Sequence, residues 1–237
     1  MLFRSYWVAA CEATRRILKR AGVPDGHAWL AYHGLDPDNF PAPIKGNLRE
    51  ELALPAEVPI IGMIAYMYRP KRYLGYSRGI KGHEDLIDAV ALMAPPYDTS
   101  IAAFVGDAWD AGAQSYEQKI REYADQKLGR RAIFLGRRND VLSLYPDFDV
   151  AVHPSHSENL GGAVESMMMQ VPTVATSVGG FPDIVIPGET GWLVPPKDPS
   201  SLAITLTELL ANRAGSAEIA RRAKTFVAEK LDIRRQT

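Results

Sequence analysis

The segment richest in chemistry is His153-Pro-Ser-His-Ser-Glu158-Asn-Leu-Gly161-Gly162-Ala-Val-Glu165. Two carboxylates seven residues apart flank a glycine pair. The segment follows the apolar run Asp149-Val-Ala-Val152 and leads into Ser166-Met-Met-Met169, so it reads as the junction of a buried strand and a helix. On one continuous helix that spacing would put both carboxylates on one face. Gly161-Gly162 weakens a helix interior, however. The pattern therefore predicts Glu158 in the loop and Glu165 in the first turns of the helix, both turned toward one pocket. The main-chain N–H groups of Asn159, Leu160, Gly161 and Gly162 are then free for an oxygen-rich ligand, whose approach the glycines leave open. Ligands of doubly wound sheets sit at such strand ends, and a helix N-terminus favours an anion. The plain alternative is an acid in a first turn that only complements the helix dipole.

Three other strand exits carry related signals. Tyr66-Met-Tyr-Arg69-Pro-Lys71-Arg72-Tyr-Leu-Gly-Tyr-Ser-Arg78-Gly-Ile-Lys81-Gly82 holds five basic residues and no acidic one. That composition suits phosphate, although for any single residue other than Lys81 a solvated loop explains it as well. Lys81 stands directly at a helix entry. Phe134-Leu-Gly136-Arg137-Arg138-Asn-Asp140 is a second junction, at which Gly136 lets a base or phosphate come close to the backbone or simply makes a tight turn. Thr176-Ser-Val-Gly179-Gly180-Phe-Pro-Asp183 is a third, compatible with a ligand loop or a plain turn. The dinucleotide and P-loop fingerprints are missing. His153 and His156 have a His-x-x-His spacing, but they straddle a strand end, so no metal site is assigned to them.

The elements that must position these residues alternate. Apolar strand patterns at 58–65, 100–105, 132–135, 149–152, 173–176 and 191–194 are separated by helical patterns at 82–93, 114–128, 141–145 and 162–170. Helices over 200–210 and 217–230 close the chain. This predicts an α/β fold with one doubly wound parallel sheet covered on both faces. Before it, residues 4–21 read as a helix stopped by Gly22-Val-Pro24, and 27–32 as a short strand. The chain has 237 residues, 46% hydrophobic and 23% charged, with a net charge of −1. This is an ordinary globular composition with no global attraction to nucleic acid or membrane, so an anion site has to be local. One cysteine, Cys11, excludes an internal disulfide and is compatible with a reducing cytoplasm. No run approaches the roughly 18 apolar residues of a membrane helix.

Taken in order, the motifs resemble the nucleotide-sugar-binding half of family 4 glycosyltransferases, retaining enzymes of GT-B fold. The resemblance rests on Tyr32-His-Gly34-Leu-Asp36 with Phe40, Lys81-Gly82, Val105-Gly-Asp107, Phe134-Leu-Gly136, Ser155 to Glu165, Val171 to Thr176, Gly179-Gly-Phe-Pro-Asp-Ile-Val185 and Gly188-Glu-Thr-Gly-Trp-Leu-Val194. It covers about residues 5–230. It implies that Glu158 meets donor-sugar hydroxyls near the reacting carbon and that Glu165 holds the ribose. Asn159, Leu160, Gly161 and Gly162 would face the sugar and diphosphate. Lys81 would neutralise the departing diphosphate, and Gly136 and Arg137 would lie by the base. Two features depart from the family. Its glutamates are usually eight apart rather than seven. Its usual arginine after the first strand is replaced here by Tyr66, with Arg69, Lys71 and Arg78 as candidate substitutes; Arg69 is counted with the donor-binding residues.

The resemblance further implies a single Rossmann-like domain over 26–237, preceded by a helix within 1–25 that stands where an acceptor domain would be. That helix would carry Phe3, Trp7, Cys11 and Leu18 on one face, docked on this domain, on a second copy or partner chain, or on a membrane surface. The expected activity is transfer of a hexose from a UDP- or GDP-sugar to a sugar or lipid acceptor, without metal, cofactor or nucleic acid. The expected place is the cytoplasm or the inner membrane face. The alternatives are a binding module that needs a partner subunit and a nucleotide-sugar epimerase or hydrolase of the same architecture.

Overall fold

A computed structural model describes residues 5–71, 73 and 75–235. Its central sheet contains β3 (Ile60–Ile64), β4 (Ile101–Val105), β5 (Ala132–Gly136), β6 (Val150–His153), β7 (Thr173–Thr176) and β8 (Trp192–Val194). The strands are all parallel, in the order β5-β4-β3-β6-β7-β8. The chain winds outward from β3 to β5, crosses back to β6 and winds outward the other way. The reversal between β3 and β6 opens a crevice at their C-terminal ends, the ligand position of doubly wound sheets.

Alternating side chains along each strand feed two cores. From β3 and β4, Ile61, Met63, Ala102 and Phe104 pack with α3 (His83–Leu92), α4 (Gln114–Leu128) and α8 (Pro199–Ala211). Ile60, Ala103, Val105 and Ala151 face the other way. They pack with Leu48 of α2 (Asn47–Glu51), Leu144 of α5 (Val141–Leu144), Tyr145 and Phe148. On that same side α6 (Ala163–Met168), α7 (Phe181–Ile184) and α9 (Arg213–Leu231) enclose Met167, Met168, Phe181 and Val227. Both sheet faces are thus covered, which is why the strands are apolar at nearly every position. No helix among the described residues is long and apolar enough to cross a membrane.

The N-terminal region departs from the single helix expected over 4–21. Trp7–Ala9 forms strand β1, the helix α1 is confined to Glu12–Arg20, and β2 (Ala28–Leu30) pairs with β1 in parallel. Tyr6-Trp-Val8 is aromatic and β-branched, a run that suits an extended backbone better than a helix. The helical-face arrangement of Trp7 with Cys11 and Leu18 therefore does not form, and Phe3 lies outside the described residues. Cys11 instead precedes α1 and is buried, whereas Tyr6, Val8, Trp29 and Ile17 are exposed. The unit is anchored at both ends. Glu12 N donates to Asp183 of α7 (2.8 Å), and Leu35 exchanges main-chain hydrogen bonds with Leu231, the last residue of α9, and with Ile233 beyond it (2.8 Å each).

The middle of β3 sets a packing limit. A β-carbon on Gly62 would lie 2.1 Å from the Phe148 ring. Phe148 is buried, and its ring meets Tyr145 edge-on, so it has no room to retreat. Gly62→Ala is expected to lower the unfolding free energy by about 3 kcal/mol through overpacking. Chemical denaturation of the purified variant measures the loss.

Candidate functional site

Two adjoining clefts open at the reversal point. The first, about 400 Å³, is lined by Ile64, Ala65, Tyr66 and Tyr68 after β3, Lys81 before α3, Gly106 after β4, Arg137 and Arg138 after β5, and Gly162 and Glu165 at α6. The second, about 430 Å³, is lined by His33, Gly34, Leu35 and Phe40 from the segment after β2, and by Glu158, Asn159, Leu160, Gly161 and Glu165. Glu165 borders both. Lys81 and Glu158 form an ion pair across their junction, with side-chain exposures of 23% and 14%.

Interlocked loops hold this pair in place. Gly82 has a φ of +76°, and a β-carbon there would lie 2.0 Å from the Pro154 carbonyl oxygen. Gly179 has a φ of +55° and would place its β-carbon 1.5 Å from the Glu158 carbonyl oxygen. Only glycine meets both demands, the left-handed backbone and the contact. Gly180 N then donates to the carbonyl of Asn159 (2.8 Å), and His156 N to that of Ile80 (2.7 Å). The loops before α3, α6 and α7 thereby fix one another.

Glu165 projects from the first turn of α6. Tyr145, fully buried, donates its hydroxyl to Glu165 Oε2 (3.2 Å). Burial raises the Glu165 carboxyl above its ordinary range, and the tyrosine bond opposes the rise by favouring the anion. The Tyr145 phenol is pushed well above its usual value by burial and then by Glu165, so it stays protonated and remains a donor. Glu165 is thus a half-buried acceptor with one oxygen engaged.

Aromatic rings line the β3 side. Tyr68 stacks on Trp109 (5.3 Å), Tyr66 meets Trp109 edge-on (5.1 Å), and the Arg137 guanidinium lies over Tyr66 (5.2 Å). The loops after β3 and β4 run together here, with Met67 N on the Asp107 carbonyl (2.8 Å) and Trp109 N on that of Met67 (3.1 Å). Each base lining the first cleft faces a carboxylate. Arg137 is 3.4 Å from Asp107, and Arg138 pairs with both Glu51 (2.7 Å) and Asp140 (2.8 Å). Arg138 holds the Asp140 carboxyl down at about 2.

The structure thus brings together Lys81, Glu158, Glu165, Gly162 and Arg137, with Asn159 and Gly161 on the adjoining wall. Gly136 ends β5, and its carbonyl accepts from Gly106 N (2.7 Å) at the edge of the cleft. Leu160 turns its side chain into the core among Ala163, Met167 and Phe181. Arg69 is not brought to this cleft. It is exposed, its guanidinium lies over Gly112, and it lines a separate hollow with Tyr116 and Tyr123. The longer loop after β3 carries it outward. Arg78 is held by Asp85 (2.6 Å) and Asp88 (2.7 Å), which leaves it unavailable to a ligand. The two histidines diverge. His153 bonds Ser166 (3.0 Å) and is pushed by burial down to about 3, whereas His156 bonds Asp85 (2.5 Å). Sequence reasoning missed Tyr145, Tyr68 and Arg138. The aromatic residues directly after β3 were a usable signal. Tyr145 gave none, because it follows α5 and meets Glu165, twenty residues further on, only in the folded chain.

A family profile described as "Glycosyl transferases group 1" matches residues 73–212, more than half of the chain. The chain belongs to this family. The D-inositol 3-phosphate glycosyltransferase of Corynebacterium jeikeium is 30% identical over 167 residues, covering 68% of this chain and 38% of that protein. Anabaena HepE in complex with UDP-glucose superposes with a TM-score of 0.84 at 26% identity, covering 99% of this chain and 62% of that one. The C-terminal domain of the group 1 glycosyltransferase LpcC from Francisella tularensis gives a TM-score of 0.69 at 25% identity over 84% of this chain and all of that domain. The six-stranded parallel sheet is therefore the Rossmann-like half of a GT-B fold, and this chain spans well under two thirds of the length of the curated relatives it matches, 38% and 33% for two Corynebacterium proteins.

If Tyr145 supports Glu165 as described, Tyr145→Phe deletes one donor to a half-buried carboxylate. Stability at neutral pH should fall by about 1 kcal/mol. The Glu165 carboxyl, titrated by carbon NMR, should take up its proton at higher pH than in the parent. An unmoved titration would disprove the contact.

Proposed function

We propose that this chain is the donor-binding half of a retaining glycosyltransferase that uses a UDP- or GDP-sugar. The observation that carries the reading is the meeting of Lys81, Glu165 and Arg137 around one cleft at the sheet's reversal point. The superposition on a relative crystallised with UDP-glucose supports it. In this reading Glu165 accepts from the ribose hydroxyls, and Arg137 with Tyr66 flanks the base. Lys81 neutralises charge that develops on the diphosphate as the sugar departs, and Glu158 faces the sugar hydroxyls from the second cleft. Stabilising the leaving group is the main catalytic contribution, because fixed positive charge beside a developing anion in a partly desolvated cleft needs no reorganisation. With a lysine in that role, the reaction calls for no metal or cofactor. The two glutamates are not a glycosidase pair, since one of them is assigned to ribose.

The relatives extend well beyond the region matched here, and this supports a second reading. The chain binds donor but transfers sugar, in the cytoplasm or at the inner membrane face, only when further protein supplies the acceptor side. Turnover of donor by the purified chain excludes that reading.

Titration calorimetry with UDP, GDP and ADP and their sugars tests the donor site. Glu165→Ala should weaken nucleotide binding about thirtyfold, the equivalent of ~2 kcal/mol for hydrogen bonds to an ionised acceptor. A change under about twofold would remove Glu165 from the site.

Binding should also depend on pH. The Glu165 carboxyl is raised by burial, so it becomes protonated at a higher pH than an exposed glutamate and then loses acceptor strength. Affinity for UDP-glucose, whose diphosphate diester has no proton that titrates near neutrality, should therefore decline as pH is lowered toward the carboxylate range, and the decline should be absent in Glu165→Gln.

A further inference from the structure

We propose that Glu158 is the site's built-in counter-anion: before donor binds, its carboxylate occupies the place of the donor's phosphate, and phosphate binding expels it toward the sugar. The inference rests on the donor-site reading above and adds a mode of regulation to it. Glu158 Oε2 accepts from the Lys81 ammonium and Oε1 from the main-chain N–H of Asn159 (3.0 Å). The carboxyl carbon lies against Gly161, where an added β-carbon would come within 2.9 Å of it. An ammonium, a main-chain N–H and a bare glycine surface are what an incoming phosphate oxygen would use. The carboxylate fills all three.

The other acids near the cleft are engaged differently. Glu165 is bonded to Tyr145, Asp107 faces Arg137 on an exposed rim, and Glu51 and Asp140 share the Arg138 guanidinium in several hydrogen bonds. A charge-assisted, multidentate arginine pair resists displacement more than a single-point lysine contact does. Inside the cleft the Lys81–Glu158 pair is such a single-point contact, so a phosphate displaces it more readily than the Arg138 pairs; the Arg137–Asp107 contact, at 3.4 Å, lies on the rim. Once Lys81 is taken, the released carboxylate has open space beside it in the second cleft, bounded by His33, Gly34 and Asn159. Glu158 would thus reach the sugar only when the diphosphate is seated, so a bare sugar or free acceptor does not find an armed site.

Competition for Lys81 makes the prediction distinctive in sign. Removing the Glu158 charge should strengthen nucleotide-diphosphate binding while turnover falls. UDP and GDP are titrated into the parent, Glu158→Gln, Lys81→Met and the double variant, with thermal melts confirming that each is folded. Glu158→Gln should tighten binding about fivefold in the Lys81 background and by less than about twofold in the Lys81→Met background, where no pair has to be broken. If Glu158→Gln is unstable, Glu158→Asp replaces it, since it draws the charge back from Lys81 by one methylene and should also tighten binding. Unchanged or weaker binding on loss of the pair overturns the inference. So does equal tightening in both backgrounds, which simple repulsion between Glu158 and the phosphates would produce. If neither nucleotide binds the parent, the donor-site reading falls and this inference with it. Binding without the Lys81-dependent gain removes this inference alone.

Discussion

Three loops crossing at van der Waals distance are the constraint on which the site depends. Gly82 lies on the Pro154 carbonyl and Gly179 on the Glu158 carbonyl, each with a backbone that a β-carbon would block. The crossings tie the exits of β3, β6 and β7 into one body, although these strands are far apart in sequence. Strand ends alone give a crevice whose walls could move independently. The crossings remove that freedom, so Lys81 and Glu158 face each other across a distance set by backbone rather than by their own flexible side chains. Under the proposed donor-site reading the pair gains from such pre-organisation, because less ordering is left for the moment of binding.

The N-terminal βαβ unit reaches the same point from outside the main sheet. Cys11 lies 3.9 Å from Asn159 Oδ1, and its β-carbon would crowd any side chain added at Gly180. Glu12 N and Tyr32 both address Asp183; burial of Tyr32, and then the Asp183 charge, raise that phenol to about 12. The segment after β2 then lines the second cleft through His33 and Gly34. A shift of this unit would therefore be felt at Asn159 and at the wall opposite Glu158 before it was felt anywhere in the central sheet. The N-terminal unit is a wall of the candidate site as well as a neighbouring element.

The central sheet was legible because its strands are buried on both faces. Continuous apolar runs such as Ile60–Ile64 and Ile101–Val105 have few other uses in a chain of this composition. The fifteen-residue α4 was legible for the complementary reason, a long helical period ended by Gly129. The N-terminal strand was not. Tyr6-Trp-Val8 runs directly into a helical pattern, and only its parallel pairing with β2, twenty-one residues on, makes it a strand. At the site, the strand-exit motifs located Lys81, Glu158, Glu165 and Arg137 at one crevice. The paths of the long connections remained hidden. Arg69 belongs to a basic loop by composition, yet its own side chain lies over Gly112, away from the crevice that Tyr66, Tyr68 and Lys81 line, and Arg78 is consumed by two aspartates of α3. Nothing in local spacing reports such long-range pairing.

The charge pattern of the cleft bears on the kind of ligand it would admit. The chain as a whole is nearly neutral, and each base lining the first cleft already has a carboxylate partner. A lone monoanion offers Lys81 little that Glu158 does not already supply, and it must expel a tethered carboxylate with a high effective concentration. A diphosphate carries more charge and several acceptor oxygens, so one oxygen can replace Glu158 while others engage Arg137 or a main-chain N–H. On the proposed reading, prior pairing converts an anion-friendly cleft into one that discriminates by charge density. It does so without the net positive charge that would attract polyanions from every direction. The cost is a weakened grip on the correct ligand, which is the usual thermodynamic consequence of specificity obtained by competition.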